Sequence, residues 1–548
     1  MPAMPFDRSL LGLSYRLWFA LLLMLLVRFA LMFGTGPIHD EAYYWSWSQR
    51  LDFAYYDQPF LTGWLLAPFV TVLGDHAWVL RAVATTLTFA TTLFLALAAR
   101  GLVLHRRVAG AGGSWRRAEW GFLCLTLTSP VLWSLGLFYT HDTAMLCFLS
   151  LGLWLGIEAL QRQPDGSSAS RWFWIGAGLA LGLAFSAKVS ASLWIAALGM
   201  GVLVHPKGRR HLRHEGPWIA VALITALMAV FVLWNAFNDW VTFKHVGGEH
   251  LLVTPTDNPL AAPDTLAQRA QRLALCALAL VLFAGLSPVV LGLRRIRGVS
   301  GSAAIVALAL FAVLPSLFFL GLSWFREIYL NWLIPSALGL MFLGSLYWPG
   351  TRTRTRTRTG TGSATQRQGV STQRWALLGT LPSLALVLLV LVPIGMREPR
   401  FMLANARDML GWKGSLDKLQ EYRDQAYPGH VIVGNYYHLA AQTAFHQKRV
   451  LPSVGLDLRP HQFSRYSWPE LMVSGSADSD MKSDSESPNE TEGPMLVLTP
   501  SAAEGRARLA PVFCEIIPIS PWPVNHRGER IAEPYLYAIS DPRKRPDC

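Results

Sequence analysis

The sequence predicts a mainly α-helical polytopic membrane protein of about eleven transmembrane helices, followed by a small C-terminal α/β domain. Two observations carry this prediction. Of the 548 residues, 52% are hydrophobic and only 15% are charged, whereas soluble domains carry charge at about a quarter of their positions. The apolar residues also gather in runs that approach the ~20 residues needed to cross a ~30 Å hydrocarbon layer.

The apolar runs define the first predicted domain, residues 1–396. By window length the candidate spans are 11–33, 77–103, 119–138, 142–160, 172–187, 189–204, 217–236, 270–293, 303–322, 329–348 and 375–396. The runs 172–187 and 189–204 are compatible with two spans or with one long helix and a re-entrant piece. Arg8 and Arg16 lie before Leu17, where the uninterrupted apolar part of the first run starts, and no small-residue cleavage site follows the run, which is typical of a retained signal anchor.

The net charge of +13 would suggest a nucleic-acid partner in a soluble protein. Residues 397–548, however, hold 18 basic and 19 acidic residues, so the excess lies in the membrane half. There, alternate connections are basic, for example Arg106, Arg107, Arg116, Arg117, Lys207, Arg209, Arg210, Arg294, Arg295 and Arg297. The positive-inside rule makes these loops and the N-terminus cytoplasmic. An odd number of spans then places residues 397–548 outside the cytoplasm, and no nucleic-acid partner is expected.

The second predicted domain, residues 397–548, alternates strands and helices. Runs rich in apolar and β-branched residues predict strands at 431–434, 495–499, 513–519 and 535–539, with helices at 437–446 and 501–509. The Ser-, Asp- and Glu-rich stretch 474–494 is typical of a flexible loop. Cys514 and Cys548 lie in this domain, where an oxidising compartment permits a disulfide; whether they are bonded stays open at this point.

The most informative segment is the first outer loop, HDEAYYWSWSQRLDFAYYDQPFLTGWL at residues 39–65. Its tyrosines and tryptophans, Tyr56 among them, suit the headgroup layer, so an aromatic belt with solvated acids is one interpretation. Four acids within the eighteen residues from Asp40 to Asp57 exceed what anchoring requires. A carboxylate such as Asp40 or Glu41, with its pKa set by its neighbours, is a candidate general base.

Further polar residues are expected at the same face. His141 and Asp142 begin the fourth span, although an acid near a helix N-terminus is also favourable on its own. Lys188 lies between two apolar runs, where it either serves a functional site or snorkels to the headgroups. Arg326 opens the tenth span and is followed five residues later by Asn331. A cationic site formed by Lys188 and Arg326 beside a carboxylate cluster is what sugar transfer from a lipid phosphate requires.

The first-loop motif resembles that of the glycosyltransferase family 39-like membrane enzymes. This family includes dolichyl-phosphate-mannose–protein mannosyltransferases and the bacterial lipid A aminoarabinose transferase. The resemblance continues in WNAFNDWVTF at 234–243, REIYLNW at 326–332 and NYYHLAAQTAF at 435–445. It implies a GT-C fold and a polyprenyl-phosphate-linked sugar donor, used on the periplasmic side of the bacterial inner membrane.

The resemblance also implies roles for particular residues. The catalytic aspartate of the first loop maps onto Asp40, the second-loop acid onto Asp142, and the acid before the proline motif onto Asp57. One departure is visible, because family members carry His or Lys before two prolines, whereas this chain has Gln58-Pro59-Phe60. The departure gives more weight to Lys188 and Arg326 as partners of the donor phosphate.

The combined interpretation is an inverting glycosyltransferase that acts on a lipid, glycan or protein acceptor. The expected catalytic residues are Asp40, Glu41 and Asp142, and the expected phosphate ligands are Lys188 and Arg326. The residues expected to position donor or acceptor are Tyr56, Asp57, Gln58, His141 and Asn331. No cofactor is required, but Asp57 and Asp142 can hold Mg²⁺ or Mn²⁺, and His141 would favour Zn²⁺. The alternatives are a transporter or flippase of lipid-linked sugars and a non-catalytic envelope scaffold.

Overall fold

The computed structural model describes residues 11–108, 115–162, 168–247, 265–296, 302–348, 374–451, 462–465 and 494–539. It confirms a mainly helical, multi-pass membrane protein with strands in its C-terminal part. Within these ranges, six helices are long and apolar enough to cross a membrane: Ala77–Leu104, His141–Gln161, Glu215–Phe237, Leu266–Ala284, Ala303–Phe325 and Arg374–Met396. Each of them lies on a span predicted from the sequence.

The other five predicted runs also lie in helices. These helices are Tyr15–Met32, Trp115–Thr128 with Pro130–Leu135, Ser168–Ala187, Ala191–Val204 and Ile334–Leu346. The runs 172–187 and 189–204 therefore form two separate helices, the second of 14 residues. At 1.5 Å per residue this helix is about 21 Å long, which is shorter than the ~30 Å hydrocarbon layer.

The structure adds a helix that the sequence analysis did not predict, Leu61–Leu73, directly after the first outer loop. Its 13 residues, with Pro68 inside, are too few to stand out in a search for ~20-residue spans. The smaller helices of the membrane part are His39–Gln49, Pro206–His211, Val241–Phe243 and Leu286–Ile296, with a 3₁₀ turn at Leu330–Leu333.

Small residues let the membrane helices approach closely. A Cβ atom added at Gly201 would lie 2.3 Å from the Cα of Ala307 on helix Ala303–Phe325, closer than two carbon atoms can approach. Gly178 meets Ala220 of helix Glu215–Phe237 in the same way, with a Cβ at 2.5 Å from the Cα. Such contacts between backbones are a usual basis of helix association in membranes, where lipid is as apolar as the side chains.

We therefore expect Gly201→Ala to destabilise the bundle by roughly 1–3 kcal/mol, the usual cost of overpacking a core. The nearest atoms are Cα, N and Cβ of Ala307, and none of them can move aside without shifting the helix. Gly199→Ala on the same helix is the matched control, because nothing lies within 4 Å of its added Cβ. Thermal unfolding in detergent, followed by tryptophan fluorescence, measures the difference. Equal melting temperatures for the two variants would contradict this account of the packing.

The C-terminal lobe, by which we mean the described residues from 397 onward, contains both helices and strands. Its helices are Ala404–Arg407, Trp412–Ala426, Tyr437–Gln447 and Ala502–Leu509. Its strands are β1 (Val431–Gly434), β2 (Met495–Thr499), β3 (Ile517–Pro521), β4 (Val524–His526), β5 (Glu529–Ala532) and β6 (Tyr535–Ile539). β1, β2 and β6 have the predicted bounds. The strand predicted at 513–519 begins later, because Phe513 still closes the turn after Ala502–Leu509 by donating its N–H to Leu509 O.

The sheet has the order β1-β2-β6-β3, with β1 parallel to β2 and the other two pairs antiparallel. All five residues of β2 are buried, which agrees with its place inside the sheet. β4 and β5 form a separate hairpin. The residues of its turn, Arg527 and Gly528, both have positive φ, 48° and 79°, as the tight turns that match strand twist require.

Two predictions for this lobe fall partly or wholly outside the described residues. Cys514 is disulfide-bonded, whereas its expected partner, Cys548, lies outside the described residues. The acidic, serine-rich loop predicted at 474–494 also lies outside them, except for its last residue.

The C-terminal lobe packs directly on the first-loop helix, His39–Gln49. The rings of Trp45 and Phe445 meet edge to face with centroids 5.2 Å apart. The side-chain amide of Gln442 donates to Pro37 O over 3.0 Å, and the N–H of Gln462 donates to the Tyr43 hydroxyl over 2.9 Å. The first-loop helix is therefore held between the membrane bundle and the lobe.

Candidate functional site

The first-loop helix begins with its three polar residues, His39, Asp40 and Glu41. Glu41 reaches back to accept a hydrogen bond from the N–H of Ile38 over 3.1 Å, which caps the helix. Acidic side chains in a first helical turn are further stabilised by the positive end of the helix dipole. The local sequence therefore explains why the helix starts where it does and why both acids lie at its N-terminal end.

Glu41 is completely buried and joins three parts of the chain. In addition to Ile38, its carboxylate accepts from the guanidinium of Arg81 and from the N–H of Tyr139, each over 3.1 Å. Burial raises the pKa of Glu41, although Arg81 and the two N–H groups act in the opposite direction. Both oxygens thus have partners within the protein, and this arrangement fixes the first-loop helix to helix Ala77–Val108.

Asp40 lies one residue earlier and has a different environment, with 36% of its side chain exposed. Its Oδ1 lies 3.6 Å from Nε2 of His39. Burial of the carboxyl raises the pKa of Asp40; His39 lowers it, and the negative charges of Asp57, Asp408 and Asp142 raise it further. We call Asp40, Asp57 and Asp142 the acidic pocket. A half-buried carboxylate with a raised pKa and an open side can accept a proton from a bound hydroxyl.

Asp142 forms the most deeply buried part of this pocket. Its Oδ1 accepts from Nζ of Lys188 over 2.7 Å, with 5% and 4% of the two side chains exposed. Its Oδ2 accepts from the Asn331 amide over 2.9 Å and lies 3.4 Å from Nε2 of His141. Four of the residues selected from the sequence, His141, Asp142, Lys188 and Asn331, therefore meet in one network. The charge of Lys188 is already balanced there by Asp142.

Asp57 contacts a tyrosine and a histidine from two different segments. The hydroxyl of Tyr43 donates to its Oδ2 over 2.5 Å, and Nε2 of His245 lies 3.3 Å from its Oδ1. The N–H of Tyr56 donates to the side chain of Gln462 over 2.8 Å. The ring of Tyr56 also lies beside that of His245, with centroids 4.8 Å apart. Asp57 and Tyr56 thus lie where the first loop, the loop after Phe237 and the C-terminal lobe meet.

Gln58 connects the first loop to the segment that carries Lys188. Its side-chain oxygen accepts from the N–H of Val189 over 3.1 Å, and its backbone oxygen accepts from the N–H of Tyr55 over 2.9 Å. An amide can supply such an acceptor, whereas a lysine cannot. The residue that departs from the family pattern therefore has a structural role beside Lys188.

Arg326 directly follows helix Ala303–Phe325 and is half-buried. Its backbone N–H donates to Leu322 O over 3.1 Å. The 3₁₀ turn Leu330–Leu333 comes next and carries Asn331 to Asp142. Arg326 thus begins the segment that reaches the acidic pocket, and its predicted contact with a donor phosphate stays a prediction.

Several residues of the site were missed by sequence reasoning. His39 directly precedes Asp40 in the first outer loop, and Arg81 lies inside the predicted span 77–103; neither was predicted as a site residue. His245 lies in the outer loop after WNAFNDWVTF, and Asp408 and His438 lie in the C-terminal lobe. Among the described residues, one group of three or more could hold a metal ion: His39, Asp408 and His438, whose ligand atoms all lie within 4.8 Å of one another. Their separation along the chain left no spacing motif that could have revealed them.

A helical membrane bundle that carries acidic residues on its first outer loop is also found in known proteins to which this chain is similar. Residues 57–234 match the family model described as dolichyl-phosphate-mannose-protein mannosyltransferase. This segment contains Asp57, Asp142 and Lys188, while Asp40 lies before it. The lipid A galacturonosyltransferase RgtD of Rhizobium johnstonii is 28% identical over 214 residues, which are 39% of this chain and 41% of the relative. The matched segment thus spans about two fifths of that relative's length.

The fold matches over almost the whole chain. The structure of ArnT from Cupriavidus metallidurans in the apo state gives a TM-score of 0.55 at 14% identity. The same protein bound to undecaprenyl phosphate gives 0.56 at 16%. Both comparisons cover 95% of this chain and 98% of the other. The resemblance inferred from the first-loop motif is confirmed: the chain is related to the GT-C-type membrane glycosyltransferases.

Proposed function

We propose that this protein is an inverting glycosyltransferase of the bacterial inner membrane. It moves a sugar from a polyprenyl-phosphate carrier to an acceptor at the periplasmic face. The observation that carries the proposal is Asp40, a half-buried carboxylate of raised pKa with an open side, placed beside Asp57 and Asp142. The ArnT fold, one structure of which is bound to undecaprenyl phosphate, supports the type of donor.

In the proposed reaction, Asp40 takes the proton of an acceptor hydroxyl as the acceptor oxygen attacks the anomeric carbon of the sugar. The new C–O bond forms on the face opposite the phosphate, so the anomeric configuration inverts. The bond between the anomeric carbon and the phosphate oxygen breaks at the same time. The departing polyprenyl phosphate takes up the electron pair, and nearby cations stabilise its growing negative charge.

We also assign roles to the other residues of the site. Arg326 is the cation that we assign to the donor phosphate. Lys188 keeps the buried Asp142 ionised and oriented, since the two carry opposite charges at 2.7 Å. Asp142, with Asn331, and Asp57, with Tyr43 and His245, position the two substrates. Glu41 holds the first-loop helix rather than exchanging a proton, because its oxygens already have three donors.

The orientation in the membrane is part of the proposal. We infer from the positive-inside rule that the N-terminus lies in the cytoplasm and the C-terminal lobe in the periplasm, since basic loops alternate with acidic ones along the sequence. Asp142 lies in the first turn of helix His141–Gln161, and Lys188 directly follows helix Ser168–Ala187. A transporter of lipid-linked sugars would instead place its ionisable residues near the middle of the bilayer. This placement favours the enzyme.

The experiment is transfer by the purified full-length protein in liposomes. Undecaprenyl-phosphate-linked galacturonic acid, aminoarabinose and a neutral hexose are offered in turn, with lipid A as the first acceptor. RgtD supports the choice of galacturonic acid and lipid A. We expect product with a lipid-linked donor and none with the corresponding nucleotide sugar, as measured by mass spectrometry. Failure of all donors across lipid, glycan and protein acceptors, or direct use of a nucleotide sugar, would refute the proposal.

A further inference from the structure

His39, Asp408 and His438 come together from three separate segments. His39 is the first residue of the first-loop helix, and Asp408 follows the short helix Ala404–Arg407. His438 lies in the first turn of helix Tyr437–Gln447. Their ligand atoms all lie within 4.8 Å of one another, with His39 buried and the other two half-buried. The group thus joins the membrane part of the chain to the C-terminal lobe.

The two imidazole rings have a spacing that suits one metal ion. The rings of His39 and His438 are stacked, with centroids 3.8 Å apart and planes at 9°. Two nitrogens bound to one tetrahedral zinc, at Zn–N of about 2.0–2.1 Å, are roughly 3.4 Å apart. Because an imidazole binds a metal in the plane of its own ring, both rings have to tilt out of this parallel stack before their nitrogens bind a common ion. The carboxylate of Asp408 already contacts Nδ1 of His39.

A second observation points to a metal ligand. Histidines that bind metals generally donate their other ring N–H to a carboxylate, which fixes the ring and raises its basicity. His39 lies between two carboxylates that suit this arrangement: its Nδ1 faces Asp408, and Oδ1 of Asp40 lies 3.6 Å from its Nε2, from where a small movement of the side chain would allow a hydrogen bond. The surroundings also favour a cation, since Asp40, next to His39 in the chain, lies near the negative charges of Asp57, Asp142 and Asp408.

We propose that His39, Asp408 and His438 bind a zinc ion that fastens the C-terminal lobe to the first-loop helix. Two histidines and one carboxylate form a known zinc ligand set, which leaves a fourth position for water. The softer imidazole ligands favour zinc over magnesium or manganese, which prefer sites made of oxygen alone. The zinc site would lie next to Asp40, but its role differs from the proposed sugar transfer, because the ion would hold two parts of the chain together.

Zinc content tests the site without any measurement of activity. The full-length protein, purified without a histidine tag and equilibrated with micromolar zinc, is passed through a desalting column and analysed by mass spectrometry. We expect about one zinc per chain. Zinc-edge X-ray absorption of the same sample should show two imidazole nitrogens with oxygen neighbours. Wild-type protein free of zinc would overturn the proposal, and this measurement depends on no variant.

Variants then locate the ion. We expect His438→Ala and Asp408→Asn to lower zinc affinity at least about tenfold. His446→Ala, two turns further along the same helix, should retain it. His245→Ala separates this site from a second histidine–carboxylate pair, His245 with Asp57. Loss of zinc in His245→Ala, with full retention in His438→Ala, would place the ion elsewhere and overturn the assignment.

Discussion

Asp40→Asn is expected to lower the rate of sugar transfer by about 10²–10⁴-fold, the usual contribution of a general base. An amide has nearly the shape of the carboxylate but cannot accept the proton of the acceptor hydroxyl. The fold should remain intact, because Asp40 is partly exposed and its side chain lies 3.6 Å from His39, beyond a normal hydrogen bond. Its neighbour Glu41, by contrast, is buried with three donors.

The measurement compares turnover of the Asn variant and wild type in liposomes with saturating donor. Asp417→Asn is the control, since Asp417 lies on an exposed surface of helix Trp412–Ala426 and pairs with Lys413 one turn away. Both variants lose one carboxylate, and both should elute and melt as the wild type does. Turnover of Asp40→Asn within a factor of three of wild type would remove Asp40 from the mechanism.

Lys188→Met should lower the stability of the fold more than any other single substitution at the site. It leaves the buried carboxylate of Asp142 without its cation, at a cost of about 3–5 kcal/mol when one partner of a buried pair is removed. Methionine fills most of the volume of the lysine stem, so the loss of stability reflects the missing positive charge rather than a cavity. The rate of sugar transfer should fall as well, because Lys188 no longer holds Asp142 and its partner Asn331 in place.

A double-mutant cycle separates the ion pair from general damage. We compare Lys188→Met, Asp142→Asn and the combined variant by thermal unfolding in detergent. The combined variant should be more stable than the sum of the two single losses predicts, because neither charge is then left alone. Lys413→Met, which breaks the exposed pair with Asp417, should change the melting temperature little. Simple additivity of the two pocket substitutions would show that the pair is not coupled.

The acids of the first loop show what a sequence can and cannot reveal. Asp40 and Glu41 are adjacent and equally conspicuous in the sequence, so both were expected to be catalytic. Successive residues of a helix point about 100° apart, and this rotation turns Glu41 inward to Arg81 while Asp40 faces the pocket. The rotation depends on where the helix starts, and Glu41 itself sets that start by capping Ile38.

Local sequence patterns predicted the helices and strands well, but they did not predict which side chains contact one another at the site. Apolar runs and β-branched runs report burial of a single segment, so the six long membrane helices and strands β1, β2 and β6 were predictable. The partners of the site are distant: Asp142 meets Lys188 across 46 positions, and His39 meets Asp408 across 369. Such pairs depend on the packing of several helices at once, which no window of sequence contains.

The aromatic contacts between the first-loop helix and the C-terminal lobe have a practical consequence for anyone who expresses parts of this chain. The boundary at residue 396 is clear in composition, but Trp45 packs on Phe445, and Tyr43 on Phe463. A chain ending at residue 396 would expose the rings of Trp45 and Tyr43 to water as an aggregation-prone apolar surface next to the bilayer. The C-terminal lobe, expressed alone, would expose the matching patch. Production of this protein therefore requires both parts of the chain, 1–396 and 397–548, either joined or co-expressed.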